Sequence, residues 1–181
     1  MEKRNKVFIA RSLDGYIADK NGGLDWLNSV PNPDHLDLGY EKFIQSVDAI
    51  VMGRTSFEVV CGFDMDWPYT LPVYVLSSSL NSVPEGFEGK VEIVSGSLST
   101  ILEKIHNKGH KQLYIDGGVT IQNFLKEDLI DELTITTIPI LLGGGIPLFA
   151  ELPKVLELEH VKSALLLDEL VQDTYRRKRK S

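Results

Sequence analysis

The short apolar run Leu113-Tyr114-Ile115 stops at Asp116-Gly117-Gly118, and a helical pattern then opens through Val119, Ile121, Phe124 and Leu125. That order reads as a strand, a glycine turn and a helix N-terminus. Glycine lets backbone approach a ligand closely, and the free N–H groups and dipole of a helix start favour an anion, above all phosphate. Two more strand-like runs end in polar turns. Val47–Met52 leads into Gly53-Arg54-Thr55, and Val73–Leu76 leads into Ser77-Ser78-Ser79. Ligands of open α/β sheets collect at the carboxyl ends of strands. Three such corners in one small domain therefore point to one shared, elongated site. The same corners also serve as plain helix caps, Thr55 and Asp116 being good N-cap residues. Spacing alone leaves both readings open.

The elements that must position these corners follow from hydrophobic pattern. Lys6–Ala10 reads as a buried central strand, followed by a turn at Asp14-Gly15 and an extended apolar pair reaching Ala18. Asp19–Gly23 is a second turn, and Asn28–Asp34, with Pro31 and Pro33, is loop. A helix is expected from Pro33-Asp34, with Leu36, Tyr40, Phe43 and Ile44 on one face. A second helix is expected over Ser56–Val60, then an irregular loop over Asp64–Tyr69. Val91–Val94 reads as a strand and Leu98–Asn107 as a helix. Leu133–Ile140 is strand-like and ends against the glycines of Leu141–Gly145. Val155–Glu159, His160–Leu167 and Leu170–Arg176 read as strands closing in a hairpin. Strands alternating with helices, then strands alone, predict a mostly parallel mixed α/β sheet flanked by helices with an antiparallel C-terminal end.

Composition narrows the function. The 181 residues suit one domain spanning 1–181, with 43% hydrophobic and 25% charged residues, an ordinary globular balance. A net charge of -7 and a pI near 5.1 argue against a nucleic-acid binder, and the basic Arg176–Lys180 run reads as a solvated end. One cysteine, Cys61, excludes an internal disulfide framework and reads as a small buried hydrophobe. His35, His106, His110 and His160 are scattered without metal-ligand spacing, so no metal site is expected. No signal peptide and no membrane-spanning run is visible, and a cytoplasmic protein is expected.

Together, Ser12–Ala18, Val51–Thr55, Val75-Leu76-Ser77, Ile115–Gly118 and Leu142–Phe149 resemble the dihydrofolate reductase-like superfamily. Within it, the chain is most similar to the reductase domain of bifunctional riboflavin-biosynthesis proteins and its stand-alone relatives. The motifs keep their order over nearly the whole chain.

The resemblance implies an NAD(P)H-dependent reductase acting on a planar nitrogen heterocycle or a ribosylamino-pyrimidine, and a homodimer. Gly53, Arg54 and Thr55 would line the cofactor's phosphates. Leu76, Ser77 and Ser78 would sit near the adenosine ribose. Gly117, Gly118, Val119 and Thr120 would hold the pyrophosphate, while Ala10 and Ile17 would flank the nicotinamide. Dihydrofolate reductases usually place an arginine where this chain has Ser78, which leaves NADPH against NADH open. Many relatives carry glycine at Asp116, where a carboxylate would repel pyrophosphate unless it turns away to cap the helix. Asp37 lies sixteen residues before Gly53, the spacing of the active-site acid in dihydrofolate reductases. On that analogy Asp37 would be half-buried with a raised pKa, paired with Thr136, and Trp26 would close over the substrate pocket. Acids also complement a helix N-terminus, and Trp26 equally suits a core. The rival readings are a nucleotide-binding module without turnover and a dihydrofolate reductase proper.

Overall fold

A computed structural model describes residues 2–62, 66–80 and 82–179. Asp64 and Met65 of the irregular loop and Lys180 of the basic run lie outside the described residues. The strands are β1 (Arg4–Ser12), β2 (Tyr16–Ala18), β3 (Ala49–Gly53), β4 (Val73–Leu76), β5 (Val91–Val94), β6 (Gln112–Asp116), β7 (Glu132–Ile138), β8 (Ile146–Pro147), β9 (Leu158–Leu166) and β10 (Leu170–Arg177). The helices are α1 (Tyr40–Ile44), α2 (Arg54–Cys61), α3 (Leu98–Asn107) and α4 (Gly118–Lys126). Eight strands form one sheet in the order β5-β4-β3-β6-β1-β7-β10-β9, and β2 pairs with β8 apart from it. The strands from β5 to β7 run parallel, and β10 and β9 add antiparallel. The expected mostly parallel sheet with an antiparallel C-terminal hairpin is the architecture found.

Central strands must be apolar on both faces because helices cover both. In β3, Ala49 and Val51 pack with Ile101 and Ile105 of α3 and Phe124 of α4. Ile50 and Met52 pack with Phe43 of α1 and Phe57 of α2. The chain steps one way from β1 through β3 and β4, with α1 and α2 on one face. It steps back from β5 through β6 and β7, with α3 and α4 on the other. Right-handed crossovers impose that division, and it makes the boundary between β6 and β1 a switch point of the sheet. There the ladder fails early. Pairing of β1 with β6 runs only from Arg4↔Gln112 to Lys6↔Tyr114, whereas β1 stays with β7 through Ser12↔Ile138. The carboxyl ends of β1 and β6 therefore part.

Three expectations are corrected. The first helix does not begin at Pro33-Asp34: Leu38 (φ 54°) and Gly39 (φ 88°) turn left-handed, so only Tyr40–Ile44 is helical. Val155 precedes β9 rather than belonging to a strand. Val119 is 69% exposed, outside the apolar face of α4 that Ile121, Phe124 and Leu125 bury. No helix among the described residues is long and apolar enough to cross a membrane.

Candidate active site

The two glycine corners meet. A Cβ on Gly53 would lie 2.9 Å from Thr120 Oγ1, and one on Gly117 would lie 2.3 Å from Ser56 Oγ. The start of α2, from one face of the sheet, thus abuts the start of α4, from the other, above the neighbouring ends of β3 and β6. Neither helix is capped by a side chain: Gly53 and Gly117 occupy the N-cap positions. Thr55 and Asp116 are consequently not the caps their residue types suggest. In α3, by contrast, Ser97 accepts a hydrogen bond from the Thr100 N–H at 3.2 Å. First-turn N–H groups without side-chain partners at two converging helix starts form a donor cradle for an anion.

The third corner joins this cradle through Arg54. Its Nη1 donates to Ser79 Oγ at 2.9 Å, and its Nε lies 3.3 Å from Glu58 Oε1. Ser77 Oγ accepts from the Ser79 and Leu80 N–H groups and so shapes the turn, leaving Ser78 exposed. Leu76 sits opposite Gly53 in the β3–β4 ladder. Arg54, Thr55, Ser77 and Ser78 therefore share one rim with the glycines.

A roof crosses the α4 start. A Cβ on Gly118 would meet Ile17 Cδ1 at 2.5 Å and Ile146 Cγ2 at 3.6 Å, so β2 and β8 cover that glycine. The motif Ser12-Leu-Asp-Gly15 fastens the roof. Ser12 Oγ donates to Asp14 Oδ1 at 2.6 Å, and the Asp14 carboxylate accepts the Leu142 and Gly143 N–H groups at 3.1 and 2.8 Å. The Ser12 hydroxyl, followed by those N–H groups, holds the Asp14 carboxyl below its ordinary pKa. Gly145 must lack a side chain, because a Cβ there would lie 2.1 Å from the Ala18 carbonyl.

The residues expected at the substrate end separate. Asp37 is exposed and precedes α1; its carboxylate accepts from the Glu41 N–H at 2.7 Å and the Gly39 N–H at 3.2 Å. Those donors lower its pKa, reversing the expected rise. The expected pairing with Thr136 is absent as well. Thr136 is buried on β7 and accepts from Gln172 Nε2 at 3.0 Å; the same nitrogen donates to the Leu38 carbonyl at 3.0 Å. Trp26 is 8% exposed and packs with Val30, Ile138 and Leu170, with Ala10 against that cluster. It is a core residue bordering Ala10, and its indole N–H has no partner among the described residues.

The acid drawn partly out of solvent is Asp116, half-buried at the end of β6. Burial, the largest influence on it, raises its pKa, and the Gly117 N–H pulls the other way. Tyr114 OH lies 3.2 Å from Asp116 Oδ1 and 3.0 Å from the Phe8 carbonyl. Tyr40 and Tyr69 sit close enough for the Asp116 charge to act on them. Burial and that charge push the Tyr40 phenol up to about 12 and the Tyr69 phenol further. Phe8 and Phe43, tilted by 33° with centroids 4.9 Å apart, and Tyr114, edge-on to Phe43 at 4.9 Å, complete an aromatic wall where β1 and β6 part. Sequence reading missed Tyr114, although strand alternation puts residues 114 and 116 on one face. Tyr40, Tyr69 and Gln172 carried no such signal.

A separate groove of about 460 Å³, lined by Asp128, Lys154, Glu157, Arg177 and Arg179, lies at the opposite, amino end of β7. Two of its cations, Arg177 and Lys154, are already paired with Asp128.

Comparison with known proteins places the fold and the family. A Shewanella sp. PV-4 protein, named provisionally for riboflavin biosynthesis, is 58% identical over 97% of this chain and 99% of its own, with a TM-score of 0.95. At 15% identity, the Thermotoga maritima diaminohydroxyphosphoribosylaminopyrimidine deaminase/5-amino-6-(5-phosphoribosylamino)uracil reductase superposes on 98% of this chain and 57% of its own, with a TM-score of 0.76. The Enterococcus faecalis dihydrofolate reductase, solved with NADP(H), is 20% identical over 97% of each chain, with a TM-score of 0.67. The last two likenesses establish the dihydrofolate reductase-like fold alone. The family model of the RibD C-terminal domain matches residues 6–171, and the chain accordingly belongs to the RibD C-terminal domain family.

Proposed function

We propose that the protein is an NAD(P)H-dependent reductase that delivers a hydride to a planar nitrogen heterocycle of the ribosylamino-pyrimidine or pterin type. The observation that carries this reading is the abutment of two uncapped helix starts, Gly53 against Thr120 and Gly117 against Ser56. Glycine at both positions lets the two helix starts approach this closely, so that their N–H groups converge on one anion, and the residues present fit a dinucleotide. The first-turn N–H groups of α2 and α4 would hold the diphosphate, with Arg54 adding positive charge. Ser77, Ser78 and Ser79 beside Arg54 supply hydroxyl donors for the adenosine end. That set accepts either a 2′-hydroxyl or a 2′-phosphate, and Arg54 favours NADPH. Ala10 and Ile17 would flank the nicotinamide, which supplies the hydride when bound.

Where β1 and β6 part, the aromatic wall excludes water and orients a flat ring. Asp116, rather than the exposed Asp37, offers the polar group at that ring. The Thermotoga enzyme's reductase name and the family membership support the substrate class.

Titrating pure protein with NADPH and NADH, with nicotinamide fluorescence as the readout, tests the reading. Saturable binding that Arg54→Ala weakens, with a larger loss for NADPH, is expected. Failure of both nucleotides to bind ends it. Binding without oxidation across pterins and ribosylamino-pyrimidines would favour the non-catalytic module.

We also propose a homodimer through β9 and the face beside it. Among the described residues the strand pairs on one side only, and Val161, Leu165 and Val171 are 41%, 64% and 42% exposed. Long unprotected edges invite pairing with another chain. Sedimentation of the wild type against Leu165→Lys checks this: a dimer that becomes a monomer is expected, and a monomeric wild type refutes it.

A further inference from the structure

Tyr114 has one hydroxyl proton and two oxygens within hydrogen-bond reach, the Phe8 carbonyl at 3.0 Å and Asp116 Oδ1 at 3.2 Å. One proton can point fully at only one of them, and the Phe8 carbonyl is the nearer; a shared proton leaves both bonds weak. If the phenol gives its proton to the carboxylate, the Phe8 carbonyl is left facing an oxygen lone pair. The β1–β6 ladder ends at Lys6↔Tyr114, so no β6 N–H reaches that carbonyl. An unpaired carbonyl in such a setting is costly. If instead the phenol donates to Phe8, the Asp116 contact is a bond only when Asp116 carries a proton and donates it to the phenol oxygen. That arrangement satisfies all three groups.

We propose that Tyr114 is a positioning residue that keeps Asp116 a neutral carboxylic acid, the Asp116 proton directed to the phenol oxygen and the phenol proton to the Phe8 carbonyl. The surroundings agree. Facing Asp116 are Tyr114 from β6, Tyr40 from α1 and Tyr69 from the segment before β4, all uncharged phenols, with the Gly117 N–H from the α4 corner. Among the described residues no lysine, arginine or histidine acts on it. Burial independently disfavours its charged form.

The consequence rests on the dinucleotide reading. An ionised Asp116 would set a negative charge at the corner that offers N–H groups to a diphosphate. A neutral acid removes that repulsion and leaves an uncharged acceptor for a ring N–H. Dinucleotide affinity should then fall as pH rises through the Asp116 transition, and binding should take up a proton.

Infrared spectroscopy of the ligand-free protein decides the inference without reference to turnover. The carbonyl stretch of a protonated carboxyl, assigned by its loss in Asp116→Asn, should persist above the pH range in which exposed carboxyls ionise. In Tyr114→Phe the midpoint should move down, to about tenfold higher proton concentration, because the acceptor for the acid's proton is gone. A midpoint that moves up or stays put overturns the proposal, since a phenol donating to the carboxylate would be holding it down. No persistent band in the wild type overturns it equally. Should Tyr114→Phe fail to fold, the wild-type and Asp116→Asn difference spectrum still decides. Titration with NADH, which carries no 2′-phosphate, reads the consequence: weakening with pH in the wild type and a flat profile in Asp116→Asn. Absence of NADH binding at every pH would defeat the reductase reading and leave the infrared result standing.

Discussion

Gln172 and Thr136 face each other across the β10–β7 ladder, and the Gln172 amide donates to the Thr136 hydroxyl at 3.0 Å. The same Nε2 reaches the Leu38 carbonyl at 3.0 Å. One buried side chain thus ties the antiparallel end of the sheet to the left-handed corner that precedes α1. Tyr40, within electrostatic reach of Asp116, is two residues beyond Leu38.

Gln172→Ala should therefore loosen the Leu38–Tyr40 corner. Two buried polar groups lose their partner, a cost of about 1–3 kcal/mol. Denaturant melts should show the loss, and hydrogen exchange should accelerate in α1 while β3 stays protected. Unchanged exchange in α1 would mean that the corner holds itself.

The two cradle glycines should tolerate alanine differently. Gly117 has φ +92°, and an added Cβ would strike Ser56 Oγ, so Gly117→Ala should cost about 1–3 kcal/mol through backbone strain alone. Gly53 has φ −76°, open to any residue, and meets only the Thr120 hydroxyl. Gly53→Ala should lose less than about 1 kcal/mol while weakening dinucleotide binding roughly tenfold or more. Equal stability losses in calorimetry would contradict the distinction.

Asp14→Ala should unfasten the roof. With the carboxylate gone, the Leu142 and Gly143 N–H groups lose their acceptor. Limited proteolysis within Leu141–Gly145 should speed up severalfold, with little change in global melting. Because the Asp14 pKa is held below its ordinary value, the wild-type clasp should survive mild acid and release only below the usual carboxylate range. Release at neutral pH would count against it.

Asp128 sets an acid limit at the far end of the molecule. The Arg177 guanidinium, bonded at 2.7 and 3.0 Å, and Lys154 at 3.1 Å lower its pKa to about 2. A depressed native pKa stabilises fully above the unfolded value near 4 and loses that stabilisation as pH falls through about 2. After allowance for partial exposure this is worth about 1–2 kcal/mol. Asp128→Asn should lower stability by that amount at neutral pH and flatten the loss between about pH 4 and 2. A parallel pH profile in the variant would refute the assignment.

Local pattern determined much of this protein. The central strands are legible because burial on both faces demands continuous apolar runs, as in Ala49–Met52. The three polar corners are legible because glycines and hydroxyls punctuate those runs. What one sequence could not settle was which acid is withdrawn from water. Asp37 and Asp116 look alike as residues, but exposure is a sum over neighbours distant in the chain. The left-handed turn at Leu38-Gly39 leaves Asp37 in solvent, bonded to backbone N–H groups. At the parting of β1 from β6, Tyr114 bonds Asp116 and the Phe8 carbonyl, with Tyr40 and Tyr69 within electrostatic reach of the carboxyl. Residue type set the available chemistry; tertiary packing chose the surroundings, and with them the direction in which each carboxyl's pKa moves.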